Sequence, residues 1–158
     1  MTKTGGPIIG TMRLLTIWIL MMTPAIYAQG ADEKDAVAVV QKLFDAMAAH
    51  DGAGIRSTTM PDARLYSIRG DAAPSSRSVE DFATQIGSMK GDLVERFTAQ
   101  PTVSVRGRMA QVWGEYEFLR DGKFTHCGVD SVSLFKTGEG WKIAAISYTV
   151  ETSGCKAQ

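Results

Sequence analysis

An α+β fold, with N-terminal helices packed on a mostly antiparallel sheet, follows from three observations. Helical periodicity is concentrated in the first half of the chain, strand-like alternation dominates from Leu93 onward, and Ala110 to Thr149 divides into three strands joined by two tight turns. Helices followed by a strand meander argue against a repeating βαβ order. No internal repeat or low-complexity segment interrupts the pattern, so 158 residues are expected to form one core.

Composition narrows the function classes. Seventeen basic residues balance seventeen acidic ones, which leaves no excess of positive charge to neutralise phosphates, and nucleic acid is not expected as a partner. The N-terminus differs in kind from the rest. Arg13 precedes the apolar run Leu14 to Met22, and Pro24 and the small-residue exit at Ala25 and Ala28 follow. These are the parts of a signal peptide spanning 1–28, with cleavage expected after Ala28 and a single mature domain over 29–158. The apolar run falls short of the roughly 20 residues that span a bilayer, so no membrane association is expected after cleavage. Met12 is an alternative start. The expected location is therefore periplasmic or secreted, where a disulfide between Cys127 and Cys155 could persist.

Along the mature chain, Val37, Val40, Phe44 and Met47 place an apolar stripe on a helix over Ala31–Ala49, with Gly52 just beyond its end. A short second helix fits Ala53–Thr59. Arg64–Ile68 has strand composition and ends at Gly70, and Asp71–Arg77 reads as a polar loop. Ser78, three residues before Asp81, caps a helix whose apolar face is Val79, Phe82 and Ile86. Leu93–Ala99 and Thr102–Val105 are strands separated by Pro101, a residue suited to an edge or bend. The long strand Met109–Leu119 follows.

Register decides which side chains share a face. The turn at Asp121-Gly122 admits a two-residue or a three-residue loop. The three-residue form pairs Phe118 with Phe124, Tyr116 with His126 and Gly114 with Gly128, and it mostly matches apolar partners. A four-residue turn at Thr137–Gly140 then sets Asp130 opposite Ser147 and Gly128 opposite Thr149. One end of the resulting face is apolar, whereas Tyr116, His126, Asp130, Ser147 and Thr149 make the other end polar. Such a group on a core face needs mutual hydrogen bonds, water or a ligand. With Tyr66 added, these six residues are the candidate ligand-binding set, and the facing glycines are expected to leave space above the sheet.

His126 and Asp130 lie four residues apart on one strand, roughly 13 Å at 3.3 Å per residue. They are not expected to form a direct dyad. Tyr116 with His126 and Asp130 with Ser147 are the expected close pairs. Either His126 or Asp130 could act as a general base, although a hydrogen-bonded structural role accounts for His126 more simply and for Asp130 equally well. With two histidines in the chain, no metal site is expected, and nothing implies a cofactor. No residue is assigned a catalytic role. On the opposite face, Trp113, Val129, Phe135, Ala144, Ile146 and Tyr148 form an apolar surface that suggests homodimerisation. Cys155 lies past the paired part of the last strand, so a bridge to Cys127 requires the tail to double back.

The helix VVQKLFDAMAAHD, the segment PDARLYSIRG and the block AQVWGEYEFLRDGKFTHCGVDSVSLFKTGEGWKIAAISYT resemble the nuclear transport factor two-like, or SnoaL-like, superfamily. The last block resembles its exported lumazine-binding subgroup. The resemblance covers about Ala31 to Val150. It implies a cone-shaped α+β barrel with a curved sheet, a pocket at the open end and often a dimer through the sheet. The superfamily includes ketosteroid isomerases, epoxide hydrolases, dehydratases, polyketide cyclases and binding domains, and fold alone does not choose among them. The isomerase and hydrolase residue patterns are not evident here. The leading expectation is a small-molecule-binding protein with a ligand of unknown identity. The alternatives are an isomerase, dehydratase or hydrolase using Asp130 or His126 as base, and a non-catalytic accessory dimer.

Overall fold

The computed structural model describes residues 1–2 and 24–155. The apolar run Leu14 to Met22 lies outside them. Three helices and seven strands follow in the order α1 (Pro24–Ala48), α2 (Gly52–Thr58), β1 (Thr59–Arg69), β2 (Ser75–Ser78), α3 (Val79–Ser88), β3 (Leu93–Phe97), β4 (Thr102–Arg106), β5 (Met109–Arg120), β6 (Lys123–Thr137) and β7 (Gly140–Val150). Helix α1 begins before the Ala31 expected from periodicity. The segment read as a polar loop contains β2, which pairs back on β1 with Leu65 opposite Arg77. No helix among the described residues is long and apolar enough to cross a membrane.

The elements end where local chemistry requires. Asp51 caps α2 by accepting from the Gly54 N–H at 2.8 Å, and Ser78 caps α3 by accepting from the Asp81 N–H at 3.0 Å. Asp121 (φ 51°) and Gly122 (φ 70°) are both left-handed, the requirement of a tight two-residue hairpin turn.

The sheet is curved, unclosed and mostly antiparallel, in the order β2-β1-β7-β6-β5-β3. The α+β expectation holds. Strand β1 lies parallel to β7, while β4 continues past Pro101 along the same edge of β5 that pairs with β3. The helices cover the concave face. Ala36, Val40, Leu43, Phe44 and Met47 of α1 and Phe82, Ala83 and Ile86 of α3 are buried with Val112, Val132, Leu134 and Ile143. Each fully buried Leu, Ile or Phe contributes about 1.5–3 kcal/mol, so this layer contact is the main stabilising term.

Two bulges correct the expected register. The β5–β6 turn has two residues, with Arg120 opposite Lys123 and Leu119 opposite Phe124. Thr125 is then extra, and Phe118 pairs with His126, Tyr116 with Gly128, Gly114 with Asp130 and Val112 with Val132. The Thr125 hydroxyl donates to the Phe118 carbonyl across the bulge at 2.9 Å. The slip amounts to two residues from Phe118 back along β5, so the inner face of β6 survives; Phe124 alone moves outward and is exposed.

Between β6 and β7, Leu134 pairs with Ile143 as expected, but Ser133 then pairs with Ala145. Ala144 is the extra residue, and beyond it every side chain of β7 changes face. Ile146, Tyr148 and Val150 point inward, whereas Ser147 and Thr149 do not. Nor do the glycines open the cavity. A Cβ at Gly114 would lie 2.6 Å from the Phe97 ring, and one at Gly128 would overlap the Thr149 carbonyl oxygen. Both allow close approach rather than empty space.

Candidate functional site

The concave face and the helices enclose a cavity of about 270 Å³. Most of its wall is apolar: Leu43, Phe44 and Met47 from α1, Phe82 and Ile86 from α3, and Val132 and Ile146 from the sheet. The polar residues on it are Asp130, Glu95, Tyr116, Tyr148, His126, Gln85, Arg69 and Arg77.

Asp130 is the pivotal group. It sits mid-strand on β6 between Gly114 and Tyr148, is 2% exposed, and its Oδ2 has no hydrogen-bond partner among the described residues. Burial pushes its carboxyl up to about 7, against an opposing hydrogen-bond effect from Glu95. Glu95 comes from β3, where it pairs with Phe118 and faces the cavity. Loss of solvent around its carboxyl raises it well above the usual carboxylate range. The Asp130 charge and hydrogen bond reinforce that rise, and Arg77 opposes it. Two buried carboxyls side by side resist carrying two charges, so both are held toward the protonated form.

The aromatic groups are fixed around it. The Tyr116 hydroxyl donates to the Thr149 backbone carbonyl at 2.8 Å. Burial first, then the charges of Glu95, Asp130 and Tyr148, make the phenol a weaker acid than an ordinary tyrosine, so it stays protonated. His126 stacks on Phe118 at 5.0 Å between ring centres and meets Tyr116 edge-on at 5.8 Å. Its Nδ1 contacts the Thr125 hydroxyl at 2.8 Å. Desolvation, then the Arg69 charge, lowers its basicity and favours the neutral ring. The expected Tyr116–His126 pair is not directly cross-strand, since Tyr116 lies opposite Gly128, but the two rings still touch edge-on.

Arg77 forms another wall. It donates to the Tyr148 hydroxyl at 3.0 Å and to the Gln85 side chain, and its guanidinium lies 4.8 Å over the Phe82 ring. Arg69, on the inward side of β1 opposite Val150, is exposed at the cavity margin.

Of the six ligand-binding candidates read from sequence, Tyr116, His126 and Asp130 thus share the cavity. Tyr66, Ser147 and Thr149 lie together on the outer face, in a shallow groove with Ile68, Pro74 and Trp113. The Asp130–Ser147 pair does not form, because the Ala144 bulge places Tyr148 opposite Asp130. Glu95 carried a legible signal, since Leu93 and Phe97 at alternate positions place it on the core face. Arg77 was hidden in the presumed loop, and Tyr148 by the bulge.

Cys127 and Cys155 are bonded, with Cα atoms 6.0 Å apart. Reciprocal backbone bonds between Cys127 and Glu151, at 2.8 and 2.9 Å, bring the tail back, and Gly154 turns it with φ 77°. Among the described residues, no group of three or more His, Cys, Asp or Glu side chains could hold a metal ion.

This architecture recurs in solved structures. A nuclear transport factor 2-like superfamily protein from Salmonella enterica serovar Typhimurium superposes with a TM-score of 0.64 at 15% identity, over 82% of this chain and 97% of that one. A protein of unknown function from Mycobacterium tuberculosis gives 0.69 at 14% identity, over 80% and 76%. An NTF2-like protein with a cystatin-like fold from Novosphingobium aromaticivorans gives 0.64 at 13%, over 83% and 89%. At these identities the likeness shows the fold. No curated protein matches the sequence. The model of the family described as "Putative lumazine-binding" matches residues 31–149, and the chain therefore belongs to that family, with the fold seen in nuclear transport factor 2-like proteins.

Proposed function

We propose that this protein binds a small ring-containing molecule in the cavity between the sheet and helices α1 and α3. The observation that carries the reading is Asp130: a carboxyl 2% exposed, with an oxygen lacking a partner, on the wall of a largely apolar cavity. Leaving such a group unsatisfied costs about 1–3 kcal/mol or more, and a ligand donor would recover it. The volume of about 270 Å³ lies just below the usual range for ligand pockets, which suits one or two rings. The family description agrees with a ring-shaped ligand. A thermal-shift screen of ring compounds against the wild type, Asp130→Ala and His126→Ala tests it. The reading expects compounds that stabilise the wild type and lose their effect in Asp130→Ala. A screen in which hits stabilise both proteins equally would overturn it.

A second reading, an isomerase, dehydratase or hydrolase with Asp130 as general base, draws on a carboxyl pushed up to about 7 beside another carboxyl. Turnover of a hit with a bell-shaped pH profile would favour it over binding alone.

Export and dimerisation belong to the same proposal. The three-part N-terminal pattern and the Cys127–Cys155 bond support a mature periplasmic or secreted domain, checked by N-terminal sequencing for cleavage after Ala28. Exposed Trp113, Phe135, Met109 and Ile68 on the outer face support a second copy docking there. Light scattering on a chromatographed sample is expected to give twice the monomer mass; a clean monomer would contradict it.

A further inference from the structure

The polar groups of the cavity are not scattered, and their order gives the ligand a direction. Glu95 and Asp130 form one pole. Asp130 is buried, its Oδ2 is open to a donor, and the adjacent carboxyl shares its environment. Arg69 forms the other pole. It is exposed at the margin, acts electrostatically on Tyr116 and His126, and makes no side-chain hydrogen bond or ion pair among the described residues. Arg77 cannot play that part equally, because its guanidinium already engages Gln85, Tyr148 and the Phe82 face and is electrostatically tied to Glu95. Between the poles, the wall is made of apolar side chains and the stacked Phe118–His126 rings.

We propose that the cavity selects aromatic acids: a ring whose N–H or O–H donates to the Glu95–Asp130 carboxyls while its carboxylate, on the opposite edge, meets Arg69 at the mouth. This rests on the cavity reading above and deepens it. The reverse orientation is the weaker one, since it would strip a carboxylate of solvent deep in a largely apolar cavity and leave Arg69 at the mouth facing no acid group. A cation without an acid group would satisfy the inner pole but leave Arg69 facing it. The two poles should differ in weight. An unsatisfied buried acceptor is the stronger discriminator, worth roughly a tenfold to hundredfold change in affinity. An ion pair with an exposed arginine is worth about fivefold or less.

The test uses indoleacetate and para-hydroxyphenylacetate as parent probes, each compared by calorimetry with its ring N- or O-methyl analogue and its primary amide. The parents should bind the wild type best, methylation should weaken binding at least roughly tenfold, and amidation should weaken it about fivefold or less. In Asp130→Ala the methylation penalty should vanish; Glu95→Gln, a near-isosteric change, should reduce it even if the alanine variant folds poorly. In Arg69→Met the difference between acid and amide should vanish. Methyl analogues that bind as tightly as the parents would overturn the inner pole, and amides that bind as tightly as the acids would overturn the outer one. If neither acid binds while neutral ring compounds that carry a donor occupy the cavity and lose their effect in Asp130→Ala, this inference falls and the cavity reading stands. If no ring compound of any class binds, both fall.

Discussion

At the scale of single residues, Asp130 makes the sharpest demand. Its carboxyl holds a proton more tightly in the folded chain than its ordinary value of 3.8 implies, up to about 7. Between those values the folded state carries more protons than the unfolded one, so this group's contribution to stability falls as pH rises through the interval. Glu95 is shifted in the same direction and adds to the fall. His126, whose basicity is lowered by burial, acts oppositely, since protonation on acidification favours the unfolded chain. Denaturant titrations across pH should therefore show Asp130→Asn with a flatter profile than the wild type, and more stable by a few kcal/mol in mildly alkaline buffer. A parallel loss at every pH would contradict this. Tyr116→Phe makes a different prediction. Its hydroxyl is spent on the Thr149 carbonyl, so the variant should lose about 1 kcal/mol of stability while ligand affinity changes little, as chemical denaturation and calorimetry would report.

The elements explain what the sequence made legible. The position of the turn at Asp121-Gly122, the cap at Ser78 and the helix stripes are local signals, and the structure agrees with them to within a few residues except at the start of α1; the turn's length departs from expectation, since it has two residues and not three. A bulge leaves no comparable mark. Nothing in the alternation of β7 distinguishes Ala144 as extra, because Ala144, Ala145 and Ile146 are all apolar and suit either face. Tyr116, His126 and Asp130 were placed on one inner face because the two-residue slip after Thr125 preserves parity, whereas Ser147 and Thr149 were misplaced by the single slip at Ala144. The β6–β7 contact also depends on Gly128, where a methyl group would strike the Thr149 carbonyl. Gly128→Ala should cost about 1–3 kcal/mol, the usual range for overpacking, in an equilibrium unfolding experiment. A neutral result would mean that the strands separate easily there.

For the whole molecule, a cone of sheet around helices leaves two distinct surfaces, an enclosed inner wall and an exposed apolar back. The Cys127–Cys155 bond, spanning 28 residues, ties the tail to the strand that carries His126 and Asp130. Removing it in Cys155→Ser should lower stability by about 2–4 kcal/mol through greater freedom of the unfolded chain, read as a lower denaturation midpoint. The central claim is that the enclosed wall, and not the outer groove of Tyr66, Trp113 and Ser147, is where a ligand sits. A crystal structure of the protein with a compound taken from the thermal-shift screen tests this most directly. The account predicts the ring between α1, α3 and the sheet, with a donor within hydrogen-bond distance of Asp130 Oδ2; a ligand bound in the outer groove, with the inner cavity free of it, would contradict it.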